Sequence, residues 1–412
     1  MKPQVEAGPR HERMQQGRLL VADDNEMNRD LLARRLSRRG FTVVTAADGQ
    51  EALDRIVEQP FDVIVLDIMM PRVDGMEVLS RVREKTAAAD LPIIMATAKS
   101  EAQDVVRALE MGANDYVTKP LDFQVVLARV QTQLSLKRAR EELKSAHARM
   151  KADLEAAARV QQDLLPLDLP VTPGAACAWR YRACDELAGD AVNIFQVDDR
   201  HLCLYVLDVS GHGVPASLLS VSVTRSLTLH ADRSSLVRVP REDGAGFRAA
   251  GPAEVARRLN VIYPMKSGDA RLYFTLCYGL LDLVTNRFQF VCAGHPGPLL
   301  VRSNGTAESL AVPALPIGMF ADAVYEDTAV DLVPGDRLYL YSDGLTEETN
   351  SSGVEFGEER LRESLTGRQA IALEENLDAL IGDLASWHGS DRFSDDVTIA
   401  TLEIREKPAD PV

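Results

Sequence analysis

Short apolar runs alternate with segments of helical periodicity along the first third of the chain. Five such runs follow Gly17, namely RLLVAD, FTVVTA, DVIVLD, PIIMAT and YVTK. Each is apolar almost throughout, which is typical of strands that are buried on both faces of a sheet. A helix-length segment separates each run from the next. The pattern predicts a doubly wound, five-stranded parallel sheet at residues 18–128, preceded by a flexible leader at residues 1–17.

One long helical segment follows, because residues 122–165 contain no glycine or proline. Apolar residues recur every seven positions along it, at Leu136, Leu143, Met150, Ala157 and Leu164. This spacing favours a coiled-coil linker at residues 129–165 that joins two copies of the chain in a homodimer. The other interpretation, an amphipathic helix that packs on its own domain, stays open. Residues 129–151 carry seven basic and two acidic side chains, a net charge of 7 − 2 = +5.

Strand-like segments separated by long loops occupy the chain from about Ala175 onward. Examples are HLCLYVLDVSGHG, DRLYLYSDG and DDVTIATLEIR, and helical stretches lie at residues 216–229 and 253–263. Strands in succession with inserted helices predict an α+β layered sandwich at residues 166–405, followed by a tail at residues 406–412. The polar segment at residues 233–251 is rich in Gly and Arg, which predicts a mobile flap.

Composition narrows the possible partners. The 412 residues include 46 basic and 62 acidic ones, a net charge of −16. This excess of negative charge argues against nucleic acid or an anionic membrane as the main partner. The chain has no run of 18 apolar residues that would predict a membrane span, and its first residues lack the apolar core of a signal peptide. Five cysteines without a Cys-x-x-Cys pair are typical of the reducing cytoplasm.

Polar side chains with complementary chemistry end the strands predicted in the first domain. Asp23 and Asp24 end the first strand, and Asp67 ends the third. Because the carboxyl ends of parallel strands share one edge of a sheet, these carboxylates should repel one another unless a cation such as Mg²⁺ lies among them. Thr97 and Lys119, on the fourth and fifth strands, complement a phosphoryl group. Any one Asp could simply cap a helix, but the five positions together favour a phosphoryl site.

The segments VADDNEMNRD, VLDIMMPRVDGMEVL, MATA and YVTKP resemble the response-regulator receiver domain. The resemblance implies a flavodoxin-like fold and phosphorylation of Asp67 by a partner sensor histidine kinase. It implies that Lys119 binds the phosphate and that Pro120 follows a cis peptide bond. It also implies that Thr97 and Tyr116 form the conformational switch. The implied Mg²⁺ ligands are Asp23, Asp24, Asp67 and the backbone carbonyl of Met69.

Acidic residues also lie where strands of the second domain meet turns. Asp208 ends LYVLD and Asp343 ends LYLYSD, each close to a glycine that lets a ligand approach the backbone. Asp190 follows another glycine, and Asp395 and Asp396 precede VTIATL. Scattered carboxylates without paired His or Cys residues predict two Mg²⁺ or Mn²⁺ ions rather than zinc. Turn capping stays the alternative for any one of these residues, and for one of the last two in particular.

The ordered segments AGD, DVSGHGVPASLLS, AGHPGPLLV, YSDGLTEETN and DDVTIATLEIR resemble metal-dependent serine/threonine phosphatases of the PPM type, and their stage II sporulation E-like branch in particular. The resemblance implies direct attack by water on the phosphoester. Asp208 would bridge two ions, with the Val209 carbonyl on one of them. Asp343 and Asp395 would bind the other ion, and Asp190 would lie beside the water or the second ion. The segment AAARVQQDLLP matches a helix thought to switch this domain.

One position departs from the family pattern, because Asn193 stands where the first motif usually has a second acid. His212 and His295 lie in glycine-rich motif loops, where a polar residue often has no catalytic role. The leading hypothesis is a response regulator whose phosphorylation at Asp67 controls a phosphoserine or phosphothreonine phosphatase. The resemblance points to an anti-sigma-factor antagonist as substrate. The alternative is a binding module that lost catalysis through Asn193 and sequesters a regulator.

Overall fold

A computed structural model of the chain describes residues 17–98, 102–166, 168–229, 235–241, 246–265, 272–310 and 312–407. The predicted leader, apart from Gly17, and residues 408–412 of the predicted tail lie outside the described residues. The chain divides into two compact units, of which the first ends at Met150 and the second begins at Lys151. None of the helices in the described residues is both long enough and apolar enough to cross a bilayer.

A parallel sheet forms the centre of the first unit. Its strands are β1 (Arg18–Ala22), β2 (Thr42–Ala46), β3 (Val63–Asp67), β4 (Ile93–Ala98) and β5 (Asp115–Lys119). They are hydrogen-bonded in the order β2-β1-β3-β4-β5, and every neighbouring pair is parallel. All five residues of the central strand β3 are buried, because helices cover both faces of the sheet. The predicted doubly wound sheet is confirmed.

Helices α1 (Glu26–Arg38), α2 (Gly49–Glu58), α3 (Gly75–Arg83) and α4 (Ala102–Glu110) connect these strands. Apolar residues of α2, α3 and α4 form a cluster on one face of the sheet, and those of α1 form a cluster on the other. Polar side chains define where three of the helices begin. The side chains of Asn25, Asp48 and Asp74 each accept a hydrogen bond from a backbone N–H in the first turn of α1, α2 and α3.

The helix α5 (Phe123–Gln162) is one continuous element of 40 residues that includes most of the predicted linker. Its first turns pack on the sheet, where Val126 and Val130 are buried. The predicted heptad positions further along are largely exposed, at 62% for Leu136, 70% for Leu143 and 63% for Met150. The apolar packing of the helix on the sheet of the first unit is therefore confined to its first turns, and the coiled coil stays a prediction.

Basic side chains of α5 contact acidic groups of the same unit. Lys137 Nζ lies 3.2 Å from Asp62 Oδ1, and the Lys137 side chain is only 12% exposed. Arg140 and Lys144 each place a nitrogen 3.4 Å from Asp90 Oδ1, where all three side chains are exposed. Exposed pairs of this kind contribute about 0.2–1 kcal/mol and weaken with salt, so the Lys137 pair is the firmer of these contacts.

Two antiparallel sheets form the centre of the second unit. The strands of one are β7 (Ala191–Gln196), β8 (His201–Val209), β11 (Phe274–Asp282), β12 (Arg287–Ala293) and β15 (Thr328–Asp331). Those of the other are β6 (Ala175–Arg182), β13 (Leu299–Val301), β14 (Ala307–Ser309), β16 (Arg337–Tyr341) and β17 (Val397–Ile404). The strand orders are β15-β12-β11-β8-β7 and β14-β13-β16-β17-β6.

Helices cover the outer face of each sheet. Helices α6 (Val214–Ser226) and α7 (Pro252–Ile262) pack on the sheet that contains β8, and α9 (Gly357–Thr366) and α10 (Leu373–His388) pack on the sheet that contains β16. A short helix, α8 (Gly344–Glu347), follows β16. A third apolar cluster combines residues of both sheets. The predicted layered sandwich is therefore confirmed, with helices outside and two sheets inside.

The predicted flap contains two strands that pair antiparallel, β9 (Arg238–Pro240) and β10 (Phe247–Ala249). Val237 and Val239 are buried in the apolar cluster that α6 and α7 share with the sheet. The flap prediction overlooked these two anchors, because valines at alternate positions bury one face of a short strand even within a polar segment.

Gly279 in β11 provides a test of the packing between the sheets. A Cβ atom at this position would lie 2.0 Å from the ring of Phe288. We expect Gly279→Ala to lower the free energy of unfolding by about 1–3 kcal/mol, because the ring must move within a packed core. Urea unfolding can be followed by tryptophan fluorescence, since both tryptophans of the chain, Trp179 and Trp387, lie in the second unit.

Gly382 in α10 gives the matched control. It is exposed, and a Cβ atom there would have no neighbour within 4 Å. Gly382→Ala should therefore raise the free energy of unfolding by about 1 kcal/mol through helix propensity alone. A Gly279→Ala variant as stable as the parent chain would contradict the packing described here.

Candidate functional site

Three carboxylates meet at the carboxyl edge of the sheet in the first unit. Asp23, Asp24 and Asp67 each place an oxygen within 4.8 Å of the other two. Asp23 and Asp67 are buried, whereas Asp24 is exposed. The structure thus brings together the three acidic residues that the sequence places at the ends of β1 and β3.

Lys119 is the cation that the chain itself supplies to this cluster. Its Nζ contacts an oxygen of Asp67 and lies 3.1 Å from Asp23 Oδ2. Burial raises the pKa of Asp67, Lys119 lowers it and Asp23 raises it, and the net shift is upward. One lysine does not balance three carboxylates, so the remaining oxygen donors fit a hard divalent cation.

The other receiver residues singled out in the sequence surround this cluster. Thr97 on β4 is buried, and Tyr116 on β5 is 37% exposed. The backbone N–H of Met69 donates to Asp67 Oδ1 at 3.4 Å, which places Met69 in the loop beside the cluster, and its carbonyl as a ligand stays a prediction. The peptide bond between Lys119 and Pro120 is cis, as predicted.

A second group of carboxylates lines a cleft of about 500 Å³ in the second unit. Asp208 is the last residue but one of β8, Asp343 follows β16 by two residues, and Asp395 precedes β17 by two residues. Three strands of two sheets therefore deliver acidic side chains to one space. The cleft is also lined by Val209, Ser210, Gly211, His212, Tyr273 and Thr275.

The electrostatics of the cleft are unfavourable without a cation. Burial, followed by the negative charges of Asp343 and Asp395, raises the pKa of Asp208 to about 7. Burial also raises the pKa of Asp395. Among the described residues that line the cleft, none is Lys or Arg. Oxygen donors without an internal counter-charge fit one or two hard divalent ions from solution.

Asp396 has a different environment from its neighbour Asp395. Its Oδ1 accepts from the backbone N–H of Cys184 at 2.9 Å. Its Oδ2 accepts from the N–H groups of Gly189 and Asp190, at 2.7 and 3.3 Å. The Asp396 carboxylate is thus occupied by three backbone donors of the loop before β7, although Asp395, Asp396 and Cys184 each place a ligand atom within 4.8 Å of one another.

Asp190 lies behind the cleft and is only 2% exposed. Its carboxylate accepts from Thr398 Oγ1 at 2.5 Å. Burial, followed by the charge of Asp208, raises the pKa of Asp190 well above its ordinary value, and a hydrogen bond from Asp190 lowers that of Asp208. Asp190 is therefore suited to hold a proton beside Asp208 when no cation is bound.

The last turn of α5 is joined to the loop that carries Asp190. Gln161 Nε2 donates to the Ala188 carbonyl at 2.8 Å, and the Ala188 N–H donates to Gln161 Oε1 at 3.2 Å. Both hydrogen bonds are made by one side-chain amide, so a displacement of this turn would pull on the backbone two residues before Asp190.

Asn193 does not share the environment of the acidic residues. Its neighbours Val192 and Ile194 face the other sheet, so Asn193 faces the side covered by α6. There it lies opposite Tyr205 and accepts from the Ile194 N–H at 2.8 Å. Among the described residues, it is not one of those that line the cleft.

Comparison with protein families agrees with these two acidic sites. A model of the response regulator receiver domain matches residues 19–131, and a model of stage II sporulation protein E (SpoIIE) matches residues 198–405, half of the chain. The chain belongs to the SpoIIE family. Its second unit is a protein phosphatase domain of the PPM class and its first unit contains a receiver domain, so both resemblances seen in the sequence are confirmed.

Individual relatives cover parts of this SpoIIE-family chain. The SiaA-PP2C domain of Pseudomonas aeruginosa has 22% identity and a TM-score of 0.52, and the match covers 63% of this chain and 98% of that one, which shows a shared fold. The PP2C phosphatase domain with a regulatory fragment of SpoIIE from Bacillus subtilis has 20% identity and a TM-score of 0.47, over 57% and 64% of the two chains.

The receiver part has a curated relative, the alkaline phosphatase synthesis transcriptional regulatory protein PhoP of Bacillus subtilis (strain 168). It is 43% identical over 136 residues, which are 33% of this chain and 54% of PhoP. The chain thus spans about half the length of that relative.

Sequence reasoning missed two polar contacts beside the cleft of the SpoIIE domain. Thr275 Oγ1 lies 2.7 Å from Nδ1 of the buried His295. Ser210 exchanges two hydrogen bonds with Tyr273, through its backbone N–H and its hydroxyl. The sequence offered one indication, because Thr275 is a hydroxyl residue in the otherwise apolar run FTLCYGLL. Alternation alone does not distinguish such a residue from an ordinary strand residue.

The carboxylates in the cleft of the SpoIIE domain repel one another, so we predict that Asp208→Asn stabilises the metal-free protein. Because its folded pKa of about 7 lies above the ordinary value near 3.9, neutral Asp208 favours the folded state. That contribution is fully present below pH 4 and is lost as the pH rises through about 7. At pH 8 in EDTA, we expect the variant to unfold about 3–6 °C above the parent chain, by scanning fluorimetry.

With Mn²⁺ present, the parent chain should unfold at a higher temperature than Asp208→Asn, because the bound ion stabilises only the folded parent chain. At pH 4 and below, the difference between the two metal-free proteins should disappear. An Asp208→Asn variant that is less stable than the parent at pH 8 without metal would contradict a cleft strained by like charges.

Proposed function

We propose that this chain is a two-component response regulator with a metal-dependent phosphoprotein phosphatase output. A sensor histidine kinase phosphorylates Asp67, and the phosphorylated receiver changes the rate at which the second unit hydrolyses phosphoserine or phosphothreonine. The observation that carries the proposal is the cleft in which Asp208, Asp343 and Asp395 converge without a Lys or Arg among its described lining residues. Such a site favours divalent cations and, through them, a phosphoryl group.

The donor sets suggest where the ions bind. In the receiver, Mg²⁺ would be held by Asp23, Asp24, Asp67 and the Met69 carbonyl. In the phosphatase domain, two Mn²⁺ or Mg²⁺ ions would be held by Asp208, Asp343, Asp395 and the Val209 carbonyl. The three backbone bonds of Asp396 support a loop-anchoring role for that residue, with Asp395 as the ligand. Asp190 is buried beside Asp208, which favours an auxiliary role for Asp190 at the edge of the second ion site.

The bound ions would neutralise the carboxylates, polarise the phosphoryl oxygens and lower the pKa of water in the cleft. The chain's own groups would hold the phosphoester in line with the attacking water. The backbone at Gly211 has a positive φ of 86°, a conformation that suits glycine and lets the substrate approach closely. In the phosphatase reaction, no side chain of the second unit would form a covalent bond to the phosphate.

Contacts at the end of α5 support a route for control. The Gln161 amide joins this helix to the Ala188 backbone, two residues from Asp190. We infer that movement of the helix alters the position and protonation of Asp190, and so the affinity of the cleft for its second ion. The heptad face of α5 supports a homodimer, in which a partner helix would cover Leu136, Leu143 and Met150.

The substrate we favour is a phosphorylated anti-sigma-factor antagonist, and the site of action is the cytoplasm. Family membership supports the substrate, and five free cysteines are compatible with a reducing compartment. The alternative, a catalytically weak module that binds and sequesters a regulator, was motivated by Asn193. The position of Asn193 on the helix-covered face gives that alternative less support.

Phosphate release from a purified phosphorylated antagonist tests the enzyme. We expect release that requires Mn²⁺ and that differs between the untreated chain and the chain treated with beryllofluoride, a phosphoryl mimic at Asp67. Asp67→Asn should retain the untreated rate and should not respond to the mimic, because the acceptor carboxylate is absent. Absence of release under every condition, by protein that binds Mn²⁺ in calorimetry, would refute the catalytic proposal and favour the binding module.

Two neighbouring substitutions test the assignment of ligands. Asp395→Ala should weaken Mn²⁺ binding at least tenfold in calorimetry and leave unfolding in urea nearly unchanged, because it removes a ligand and relieves repulsion. Asp396→Ala should lower the free energy of unfolding by about 2 kcal/mol, because it leaves buried N–H groups without a partner. The opposite pattern, with weak metal binding only in Asp396→Ala, would reverse the two roles.

A further inference from the structure

The pair formed by Thr275 and His295 lies at the wall of the phosphatase cleft. Thr275 on β11 is the direct neighbour of Asp208 on β8, and both side chains line the cleft. Thr275 Oγ1 lies 2.7 Å from Nδ1 of His295, which is not among the described residues that line the cleft. His295 is only 7% exposed, so this contact is shielded from water.

The imidazole of His295 is neutral at physiological pH. Burial lowers its pKa to about 3, while the Tyr341 backbone acts in the opposite direction. A neutral imidazole has one nitrogen that donates and one that accepts. The ring nitrogen that holds the proton therefore determines whether Nδ1 donates a hydrogen bond to the Thr275 hydroxyl or accepts one from it.

The surroundings favour the tautomer with the proton on Nε2. Nδ1 is engaged by Thr275, and Nε2 is buried without a hydrogen-bond partner among the described residues. The Tyr341 backbone raises the pKa of the ring, which is the direction expected of a carbonyl that lies near it. A carbonyl beside a ring nitrogen favours N–H over a lone pair, because two acceptors repel.

With Nε2 protonated, Nδ1 accepts the proton of the Thr275 hydroxyl. The hydroxyl has only one proton, so Thr275 Oγ1 presents lone pairs alone to the cleft. A group that can only accept is unsuited to a phosphoryl oxygen and suited to water. Among the polar lining groups, Ser210 Oγ already accepts from the Tyr273 N–H at 3.1 Å.

We propose that Thr275 is a catalytic residue of this phosphatase, which accepts a hydrogen bond from the attacking water, and that His295 is a positioning residue that holds the Thr275 hydroxyl in that orientation. The inference rests on the proposed phosphatase activity. In the step, the water oxygen forms a bond to phosphorus and the bond from phosphorus to the serine or threonine oxygen breaks. The water proton passes to solvent and the leaving oxygen takes one from it. Thr275 orients the water and transfers no proton.

Isosteric substitutions in the full chain separate this role from a structural one. With para-nitrophenyl phosphate and saturating Mn²⁺, Thr275→Val should lower kcat about 10–100-fold and leave KM within twofold, whereas Thr275→Ser should stay within threefold of the parent. His295→Asn, which keeps an acceptor near the Nδ1 position, should retain more of the kcat than His295→Phe. The Mn²⁺ dissociation constant from calorimetry should be unchanged in Thr275→Val.

A rise in KM at constant kcat would overturn the proposal, because it would make Thr275 a donor to the phosphate. A loss of kcat that follows weaker Mn²⁺ binding would overturn it as well, and so would a Thr275→Val variant as active as the parent.

Nitrogen-15 NMR of histidine-labelled, metal-free chain tests the tautomer without any activity, with His295→Asn to assign the signal among seven histidines. We expect His295 to stay neutral with the proton on Nε2 from pH 5 to 8. A proton on Nδ1, or titration near pH 6.5, would refute the proposal even if the chain releases no phosphate. Failure of the phosphatase proposal would instead appear in the parent chain itself, as metal binding without hydrolysis.

Discussion

Mutual repulsion among buried carboxylates is the constraint on which both sites of this protein depend. Removing a carboxylate from water disfavours its charged form, and placing a second one a few ångströms away adds to that cost. The strands deliver such groups to one place because the sheets are stable for other reasons, with apolar residues on both faces. Each site then needs positive charge or a proton, and the arrangement of neighbouring groups determines which one it receives.

The two sites meet this requirement differently. In the receiver, Lys119 contacts Asp67 and Asp23, so part of the negative charge is balanced by the chain itself. In the phosphatase cleft, the described lining residues include neither Lys nor Arg, and the balance falls to dissolved cations or to protons on Asp190 and Asp208. More negative charge is therefore left for cations or protons to balance in the cleft than in the receiver. The two hydrogen bonds of Gln161 to Ala188 lie two residues from Asp190, one of the groups that share this charge.

The sequence predicts the parts of this fold that depend on periodicity. Continuous apolar runs predict the parallel sheet, and the fixed geometry at its carboxyl edge brings Asp23, Asp24 and Asp67 together. Periodicity does not show which of Asp395 and Asp396 faces the cleft, because both precede β17 in an irregular segment without a regular alternation of faces. The two valines that anchor the strand pair β9 and β10, Val237 and Val239, were overlooked since a three-residue strand is too short for alternation to stand out. Asn193 illustrates the converse, because its apolar neighbours Val192 and Ile194 already assign it to the face opposite the inter-sheet core.

The polar groups of the cleft limit what the phosphatase domain can recognise. Ser210 is bound to Tyr273 and Thr275 to His295, and His212, which is 84% exposed, lies at the rim near Asp185. With acidic residues around them and no Lys or Arg among the described lining residues, these groups would contact a phosphoryl dianion favourably only after divalent ions had reversed the local charge. The cleft would then bind the phosphate and the water, and few of its groups would contact the peptide around the phosphorylated residue. Discrimination among phosphoproteins would then depend on surfaces outside the cleft, which would separate the choice of partner from the chemistry.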